Sequence, residues 1–498
     1  MADKNKDTKR ICVIGGGPSG LAALKAILDT PQFKDGLWTP VLFEAREDVG
    51  GVWLPAPPVD NPPKTPMYDS LTTNVPHPLM AYTSYPFPPS TNLYPPAHVA
   101  EEYLRSFTEE FRLGEYIKLR TRVERATWDA DSGRWKVTYR AEGEDTQEDL
   151  FDLTIIANGH YHLPRYPSIP GLQAWHTQGK LTHSAWYRHP LPTDRGRKVL
   201  VVGGGASGND IAAEVATEGG ATVVHSLPRP KGTRKPPVTA FLDVQTGTVE
   251  FADGATESGI DRCILATGYE MEFPFLSDEI IRPHTEPSIP PPVSNIWNTT
   301  YSVFPLARHV FPLPNAGPYP PHTLAFLGLP IKVAPFPIVE AQAAYVAYIF
   351  AHPHLFDSDR ESELVGMRVE ALKKRFAGDE GEVMHRWHVF EGLEPFEYTD
   401  ELYRLSGRPD KRTEDWEKEL FAVRGKAREF WHSLVAEGKE GEWVEGVAEE
   451  ESKKGDWEGA RRVWGEVIAR LVREMGRVGI EQEVEAEVEA KLGSAVAG

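Results

Sequence analysis

The sequence predicts an α/β protein with two Rossmann-like dinucleotide-binding domains and a helical C-terminal extension. The chain contains two copies of an apolar strand, a glycine-rich turn and a helix, and its composition becomes helical and charged after residue 360. The glycine spacing G-x-G-x-x-G allows the turn between strand and helix to hold a pyrophosphate. Because the pattern occurs twice, we interpret both copies as dinucleotide sites rather than as structural turns.

The first copy lies near the N-terminus. Ile11 to Ile14 form an apolar run typical of a buried parallel strand, and Leu21 to Leu28 are predicted to form a helix. The glycines between them permit a tight turn, approach of the backbone to a pyrophosphate, and close packing of helix on strand. The helix N-terminus supplies free N–H groups and a positive dipole end. The predicted phosphate-binding residues are Gly15, Gly17, Pro18, Ser19 and Gly20.

An acid that binds a ribose hydroxyl is expected at the end of the second strand. Glu44 follows the apolar run 41–43, later than the usual spacing of ~20 residues, and residues 30–40 are predicted to form a loop insertion that explains the delay. Gly51, Val52 and Trp53 come next, and we expect them to contact the same dinucleotide as Glu44. A turn with a packed tryptophan is the alternative interpretation.

The second copy differs from the first where the ribose is bound. Gly203, Gly205 and Gly208 complete the glycine spacing, but the next strand, 221–226, is followed by Arg229 rather than by an acid. An acid would repel a 2′-phosphate, whereas an arginine can pair with it through two N–H bonds. The second copy therefore predicts an NADP(H) site. A solvated basic loop stays open for Lys231 to Lys235.

Further elements are predicted along the chain. Apolar residues at helical spacing predict a helix over 98–111, strands are expected over 117–140, and a helix follows from about 339 to 350. The segments 155–160 and 264–269 share a pattern in which a strand runs into a turn, and such turns can route the chain between two nucleotide domains. Asn158, Thr267 and Gly268 lie in these turns and are candidate cofactor-binding residues.

Composition excludes several function classes. The net charge of −19, from 73 acids against 54 bases, argues against a nucleic-acid partner. Cys12 and Cys263 lie in apolar runs and form no C-x-x-C redox pair, and the histidines lack metal-ligand spacing. The first ten residues lack the apolar core of a secretory signal, and there is no run of ~18 apolar residues. We expect a cytoplasmic protein without a membrane span or a metal site.

In the order and number of its motifs, the chain resembles the flavin-containing monooxygenase family over residues 9–350. The matching motifs are GGGPSG at 15–20, FEAREDVGGVW at 43–53, LTTNVP at 71–76, NGHY at 158–161, GKLTHSAWYR at 179–188, GGGASGNDIA at 203–212 and ATGY at 266–269. The family fingerprint F-x-G-x-x-x-H-x-x-x-Y/F is matched by Gly179, His183 and Tyr187, with Thr177 in place of the phenylalanine. Baeyer–Villiger relatives carry tryptophan followed by proline or aspartate where this chain has Tyr187 and Arg188, so the resemblance favours the N/S-oxygenating type of class B flavoprotein monooxygenase.

The resemblance implies FAD at the first glycine turn and NADP(H) at the second. It also implies that Asn74, beside Thr73, is the catalytic polar residue near the reactive edge of the flavin and the nicotinamide. His183 and Tyr187 would lie at the junction of the two nucleotide domains. The residues implied to face the NADP pyrophosphate and its surroundings are Ser207, Gly208, Asn209 and Asp210.

The implied activity is FAD- and NADPH-dependent oxygenation, with O2, of a soft sulfur or nitrogen nucleophile in a small molecule through a C4a-hydroperoxyflavin. A Baeyer–Villiger or amine N-hydroxylating enzyme stays open as an alternative. A flavin disulfide reductase would need a redox cysteine pair, which Cys12 and Cys263 do not form. A non-catalytic redox-sensing binder is a further alternative, and the intact motifs at both dinucleotide sites argue against it. The sequence does not identify the substrate or the oligomeric state, so a homo-oligomer stays open.

The predicted domain organisation follows from these motifs. Residues 1–190 are expected to form the first part of the FAD-binding domain, and 191–320 the NADP-binding domain. Residues 321–360 would return to complete the FAD domain, and 361–498 would form a helical acidic C-terminal region to which we assign no chemistry.

Overall fold

A computed structural model describes residues 8–283 and 295–475 of the chain. The chain divides into two compact units: a larger unit of Met1–Gly51, Thr72–Gly159 and Met271–Gly498, and a smaller unit of Val52–Leu71 and His160–Glu270. The predicted domain bounds stay a prediction. Residues 284–294 of the predicted NADP-binding domain and 476–498 of the predicted C-terminal region lie outside the described residues.

The strands of the described residues are short, and most belong to small sheets. In chain order they are β1 (Lys9–Ile14), β2 (Trp38–Phe43), β3 (Ile117–Lys118), β4 (Thr121–Asp129), β5 (Arg134–Ala141), β6 (Gln147–Phe151), β7 (Leu153–Ile156), β8 (Leu163–Pro164), β9 (Leu181–His183), β10 (Lys198–Val202), β11 (Thr222–Ser226), β12 (Val238–Asp243), β13 (Thr248–Phe251), β14 (Thr256–Glu257), β15 (Arg262–Leu265), β16 (Tyr269–Glu270), β17 (Arg282–Pro283), β18 (Trp297–Asn298), β19 (Val303–Phe304), β20 (Leu306–Ala307), β21 (Phe311–Pro312) and β22 (Leu324–Phe326).

The α-helices become longer and more frequent toward the C-terminus. In chain order they are α1 (Pro18–Leu28), α2 (Pro31–Lys34), α3 (His77–Met80), α4 (Ala97–Glu110), α5 (Leu172–Thr177), α6 (Ala206–Thr217), α7 (Pro335–Ala351), α8 (Ser358–Arg375), α9 (Glu380–Arg386), α10 (Glu394–Leu405), α11 (Asp415–Ala436), α12 (Gly441–Val444), α13 (Glu449–Lys453) and α14 (Trp457–Met475).

Each unit is built around a parallel sheet. In the larger unit the strand order is β22-β7-β1-β2-β3, and in the smaller unit it is β11-β10-β15-β9. Neighbouring strands in both sheets pair in parallel. Parallel strands buried on both faces read as continuous apolar runs, which is why β1 and β10 were recognisable in the sequence. The predicted α/β class with two Rossmann-like nucleotide folds and a helical C-terminal region is confirmed.

Two details differ from the sequence-based expectations. Residues 30–40 are not a simple loop, because Thr30 caps the short helix α2 by accepting a hydrogen bond from the Phe33 N–H at 3.2 Å, and β2 already begins at Trp38. Helix α1 begins at Pro18 rather than at Leu21, because proline is compatible with the first turn of a helix, where its missing N–H costs nothing.

The C-terminal helices bury most of their tryptophans. Trp387, Trp431 and Trp464 are each 1% exposed, so this region has a packed interior of its own side chains and those of the rest of the larger unit. Among the described residues, no helix is long and apolar enough to cross a membrane.

Candidate functional site

The first glycine turn is shaped by two glycines that cannot carry a side chain. Gly15 has a φ of +107°, and a Cβ atom there would lie 2.5 Å from the Ala157 carbonyl oxygen. A Cβ atom on Gly20 would lie 1.8 Å from the Gly15 carbonyl oxygen. Helix α1 therefore packs directly on the turn that follows β1, as the predicted roles of these glycines require.

The N-terminus of α1 is open to an anion. Gly17 is the N-cap residue, and among the described residues no side chain caps the helix there. The first N–H groups of a helix have no intrahelical acceptor, so they and the helix dipole are available to a phosphate. A Cβ atom on Gly17 would lie 3.4 Å from Gly51 Cα, which brings two of the predicted cofactor-binding residues together.

Glu44 lies directly against the first glycine turn. Its two carboxylate oxygens accept hydrogen bonds from the backbone N–H groups of Gly16, at 2.6 Å, and Arg46, at 2.7 Å. The side chain is buried, and this burial raises the pKa of the carboxyl while the N–H bonds oppose the rise. A carboxylate has about four acceptor positions, so two bonded oxygens still have room for a ribose hydroxyl.

Gly51, Val52 and Trp53 form a short 3-10 turn. Gly51 has a φ of +59°, and its carbonyl oxygen accepts a hydrogen bond from Arg46 Nη1 at 3.2 Å. The chain passes here from the larger unit, which ends at Gly51, to the smaller unit, which begins at Val52. The contacts predicted for these three residues with a cofactor stay a prediction.

The smaller unit repeats the geometry of the first turn. Gly203 has a φ of +128°, and a Cβ atom on it would lie 2.1 Å from the Ala266 carbonyl oxygen. A Cβ atom on Gly208 would lie 2.2 Å from the Gly203 carbonyl oxygen. Gly205 is the N-cap of α6, again without a capping side chain among the described residues, and no heavy atom lies within 4 Å of the position that its Cβ would take. The space beside Gly205 is thus available to a ligand.

Strand register identifies the residue that replaces Glu44 in the second copy. The Gly15 N–H bonds to the Phe43 carbonyl at 2.9 Å, and the Gly203 N–H bonds to the Ser226 carbonyl at 3.0 Å. The residue after Ser226 is Leu227, so a buried leucine stands where the first copy has an acid. Arg229 follows as an exposed side chain. A turn without an acid and with a nearby guanidinium suits a ribose that carries a 2′-phosphate.

Two side chains at the start of α6 form hydrogen bonds with other residues of the protein. Asn209 Nδ2 donates to the carbonyl oxygens of Gly204, at 3.2 Å, and Gly205, at 3.0 Å. Asp210 Oδ2 accepts a hydrogen bond from the Tyr68 hydroxyl at 2.9 Å. Asn209 therefore fixes the glycine turn itself, while Ser207 is half-buried in the first turn of the helix.

His183 and Tyr187 are both buried in the smaller unit. His183 Nδ1 accepts a hydrogen bond from the Ala185 N–H at 3.1 Å, and burial lowers the pKa of His183 to about 4, so the ring is neutral at pH 7. The Tyr187 hydroxyl donates to Glu214 Oε2 at 2.6 Å, and burial raises the pKa of this tyrosine. A contact of either side chain with a cofactor stays a prediction.

The two strand-to-turn segments are tied to neighbouring chain. Asn158 Nδ2 donates to the Glu272 carbonyl oxygen at 3.0 Å within the larger unit. In the smaller unit the Thr267 hydroxyl donates to the Arg165 carbonyl at 2.6 Å, and the Arg165 N–H donates to the Gly268 carbonyl at 2.9 Å. These bonds hold each turn in place at the end of a parallel strand, where ligands of open α/β sheets bind.

Asn74 projects from a short loop of the larger unit that is anchored on both sides. The Thr73 N–H donates to the Pro95 carbonyl oxygen at 2.9 Å, and helix α3 begins at His77. Thr73 is buried, whereas Asn74 is exposed. An exposed amide held between anchored neighbours is available to contact a ligand, and its role stays a prediction.

Sequence reasoning missed a buried glutamine that supports the first turn. Gln342 Oε1 accepts a hydrogen bond from the Gly328 N–H at 2.9 Å, and a Cβ atom on Gly328 would lie 2.4 Å from Ser19 Oγ. Gln342 is 0% exposed and lies in the largely apolar helix α7, which also contains Glu340. An amide within a mostly apolar helix was the available signal, since a buried polar group needs a partner.

Arg188 is a second missed residue, in the smaller unit. Its guanidinium donates to the carbonyl oxygens of Ala185, at 3.0 Å, and Tyr187, at 2.7 Å, and across to Thr65, at 2.8 Å. It thereby fastens the proline-rich loop 54–66 to the end of the fingerprint segment. The sequence indicated only that an arginine follows Tyr187, and no spacing rule pointed to these partners.

Comparisons with known proteins agree with this geometry. The family model described as flavin-binding monooxygenase-like matches residues 8–228. The thiol-specific monooxygenase of Saccharomyces cerevisiae is 30% identical over 361 residues, covering 69% of this chain and 77% of that protein. Flavin-containing monooxygenase FMO GS-OX-like 9 of Arabidopsis thaliana is 30% identical over 451 residues, covering 83% of this chain and 89% of that protein.

A solved structure is similar over nearly its whole length. The S-allyl-L-cysteine S-oxygenase of Allium sativum superposes with a TM-score of 0.69 at 25% identity, covering 87% of this chain and 98% of that chain. The similarity therefore extends beyond the two glycine turns and includes much of the C-terminal helical region.

Proposed function

This chain belongs to the flavin-binding monooxygenase-like family, and we propose that it is an FAD- and NADPH-dependent monooxygenase that oxygenates a soft sulfur or nitrogen atom of a small molecule. One observation carries the proposal: two uncapped helix N-termini follow two glycine turns of the same geometry, with Glu44 at one turn and Leu227 at the other. Two such turns suit two different dinucleotides.

The residues of the larger unit fit FAD. The N-terminus of α1 would hold the pyrophosphate, and Glu44 would accept a hydrogen bond from a ribose hydroxyl while it keeps its bonds to the N–H groups of Gly16 and Arg46. Gly17 and Gly51 carry no side chains, so the cofactor could approach the backbone closely there. When bound, the flavin accepts a hydride from NADPH and activates O2, so that one oxygen atom passes to the substrate and the other leaves as water.

The residues of the smaller unit fit NADPH. The N-terminus of α6 and the open space beside Gly205 would accept the pyrophosphate, and Asn209 would keep the turn rigid through its bonds to two glycine-turn carbonyls. Arg229 would pair with the 2′-phosphate, a contact that NADH cannot make. The protein thus selects the reductant by charge.

Asn74 would act at the reacting atoms. Its exposed amide can donate two hydrogen bonds and accept two, so it can orient a nicotinamide or a flavin edge without exchanging a proton. His183 stays neutral at working pH because its pKa is about 4, so it would contribute shape and hydrogen bonding rather than charge. The chain's own task is then to position the reactants and to exclude water.

Sulfur is the preferred target. The relatives include a thiol-specific monooxygenase and an S-oxygenase by name, and both are similar to this chain over most of their length. We therefore propose a thiol or thioether as the first substrate class to test. A nitrogen nucleophile is the second candidate within the same activity.

Product analysis tests the proposal. The purified protein is denatured to identify its flavin, and the native protein is given NADPH, labelled O2 and, in turn, a thioether, a primary amine and a ketone. We expect FAD and a sulfoxide that carries one labelled oxygen per NADPH consumed. An ester from the ketone would indicate a Baeyer–Villiger enzyme, and NADPH oxidation without any oxygenated product would contradict the proposal.

A further inference from the structure

The C-terminal helix α11 contacts the segment that carries Asn74. Arg428 Nη2 donates to Thr72 Oγ1 at 3.1 Å, and Trp431 Nε1 donates to Asn92 Oδ1 at 3.1 Å. Residues three apart lie on the same face of a helix. One face of α11 therefore contacts two different chain segments with two directed hydrogen bonds.

Those two segments pair with each other. The Thr73 N–H donates to the Pro95 carbonyl at 2.9 Å, the His77 N–H donates to the Leu93 carbonyl at 2.8 Å, and Thr72 pairs with Pro96 in an antiparallel bridge. We call residues 72–77 and 92–96 the Asn74 platform. Its two strands of chain have few backbone bonds, so side-chain contacts from outside decide how firmly it is held.

Helix α14 adds a packed contact to the same platform. The Trp464 ring lies 4.4 Å from the His77 ring at an interplanar angle of 86°, and both side chains are buried. This contact resists separation of α14 from the platform but does not fix the rotation of any group on it. The directed bond from Arg428 does fix the rotation of the Thr72 side chain, which lies two residues before Asn74.

We propose that Arg428 is a positioning residue for Asn74, so that the C-terminal region belongs to the catalytic apparatus. The inference rests on the proposed role of Asn74. An amide that orients a reacting ring must be held within about 0.5 Å of its productive position. Arg428 contributes by fixing the Thr72 side chain with a charge-assisted bond, and the half-buried setting of both residues protects that bond from water.

The alternative is that α11 only adds stability by packing. Trp431, Leu420 and Ala427 on this helix are buried and would suffice for that purpose. The two explanations differ in what the loss of one hydrogen bond does. Packing alone predicts no local effect on residues 72–77 when the Arg428 guanidinium or the Thr72 hydroxyl is removed.

Hydrogen–deuterium exchange of the full chain, with and without bound flavin, distinguishes them. Arg428→Gln and Thr72→Val each remove one partner of the bond, and Thr72→Ser keeps the hydroxyl. We expect the amides of Thr73 and His77 to exchange about tenfold faster in the first two variants, as loss of a charge-assisted bond implies. We expect no change in Thr72→Ser, and no further increase when Arg428→Gln and Thr72→Val are combined.

A matched control lies one turn earlier on the same helix. Arg424 donates to the Phe421 carbonyl of α11, so Arg424→Gln removes an arginine without touching the platform bond. Unchanged exchange at 72–77 in Arg428→Gln, or equal effects of Arg424→Gln and Arg428→Gln, would overturn the inference.

The coupling of NADPH oxidation to product formation gives a second measurement. We expect Arg428→Gln and Thr72→Val to lower the coupled fraction severalfold while the KM for NADPH stays unchanged. Asn74→Ala separates the inference from the proposed function. If Asn74→Ala leaves the coupled fraction unchanged, the proposed role of Asn74 is wrong. If Asn74→Ala lowers the coupled fraction and Arg428→Gln does not, only the positioning role of Arg428 is wrong.

Discussion

Glu44 Oε2 accepts a hydrogen bond of 2.6 Å from the Gly16 N–H, so the acid at the end of β2 is locked to the first glycine turn. The matching position in the smaller unit is occupied by Leu227, whose side chain lies 3.0 Å from where a Cβ atom of Gly204 would be. The same fold thus places a carboxylate beside one glycine turn and an apolar side chain beside the other.

Replacing Glu44 by glutamine should weaken FAD binding. The amide keeps the size of the side chain but puts an N–H donor and a neutral oxygen beside the N–H groups of Gly16 and Arg46, so one of those bonds and the ribose contact are lost. We expect about a tenfold or greater loss of FAD affinity, in line with a charged hydrogen bond, measured by flavin fluorescence on titration of the apoprotein. Glu47→Gln, three residues later, is the control, and equal affinity in both variants would contradict the assignment.

Replacing Arg229 by glutamine should erode the preference for NADPH. The guanidinium would pair with the 2′-phosphate only, so the KM for NADPH should rise about tenfold or more while the KM for NADH hardly changes. Steady-state oxidation of the two reductants measures this. Lys231→Gln serves as the control for the solvated basic loop. If Lys231→Gln has the larger effect, the phosphate lies elsewhere in that loop.

Gly205→Ala tests the second phosphate site without disturbing the fold. The added methyl would meet no protein atom within 4 Å and the φ of −73° suits alanine, so the melting temperature should stay the same. The methyl would occupy the space proposed for the pyrophosphate, so NADPH affinity should drop while flavin content is unchanged. A lower melting temperature together with normal NADPH affinity would contradict the assignment of the pyrophosphate site beside Gly205.

The sequence predicted what regular geometry determines, and little of what tertiary contacts determine. The glycine turns after β1 and β10 were predictable because only glycine fits where a Cβ would meet a carbonyl oxygen. Helix α4 was predicted within two residues at each end from its apolar periodicity. Stability and structure at the platform depend instead on partners distant in sequence, and no local pattern links Arg428 to Thr72.

The polar residues of α7 illustrate the same limit. Glu340 and Gln342 interrupt the apolar stretch of α7, and no sequence pattern identifies a partner for either side chain. In the structure Glu340 accepts hydrogen bonds from the N–H groups of Thr83, at 2.8 Å, and Ser84, at 3.2 Å, and Gln342 supports Gly328. Gln342 is buried and Glu340 is half-buried, so both polar groups need partners, but the sequence could not show which partners these are.

Acid should destabilise the protein through His77. Burial lowers the pKa of this side chain to about 3 from an ordinary value of 6.5. Between those two values the unfolded chain binds a proton at His77 that the folded chain does not. The contribution of His77 to the free energy of unfolding therefore falls as pH falls from 6.5 toward 3 and is constant above 6.5. His77→Phe should reduce that dependence by about 1.4 kcal/mol per pH unit.

Urea unfolding of the apoprotein at several pH values, followed by tryptophan fluorescence, measures the effect. His189→Gln, which removes an exposed histidine, is the control for His77→Phe. If His77→Phe and the unsubstituted chain lose stability in parallel below pH 6.5, then His77 takes up its proton in the folded state and the prediction is wrong.

We propose that the larger unit binds a flavin that NADPH reduces and that then activates oxygen. The most direct test reduces the bound flavin anaerobically with NADPH, admits O2, and follows the flavin absorbance. We expect a long-lived species distinct from oxidised and reduced flavin, which decays faster when a thiol or thioether is added. Direct return to oxidised flavin, with no such species and no effect of a sulfur compound, would contradict the proposed flavin-dependent oxygenation.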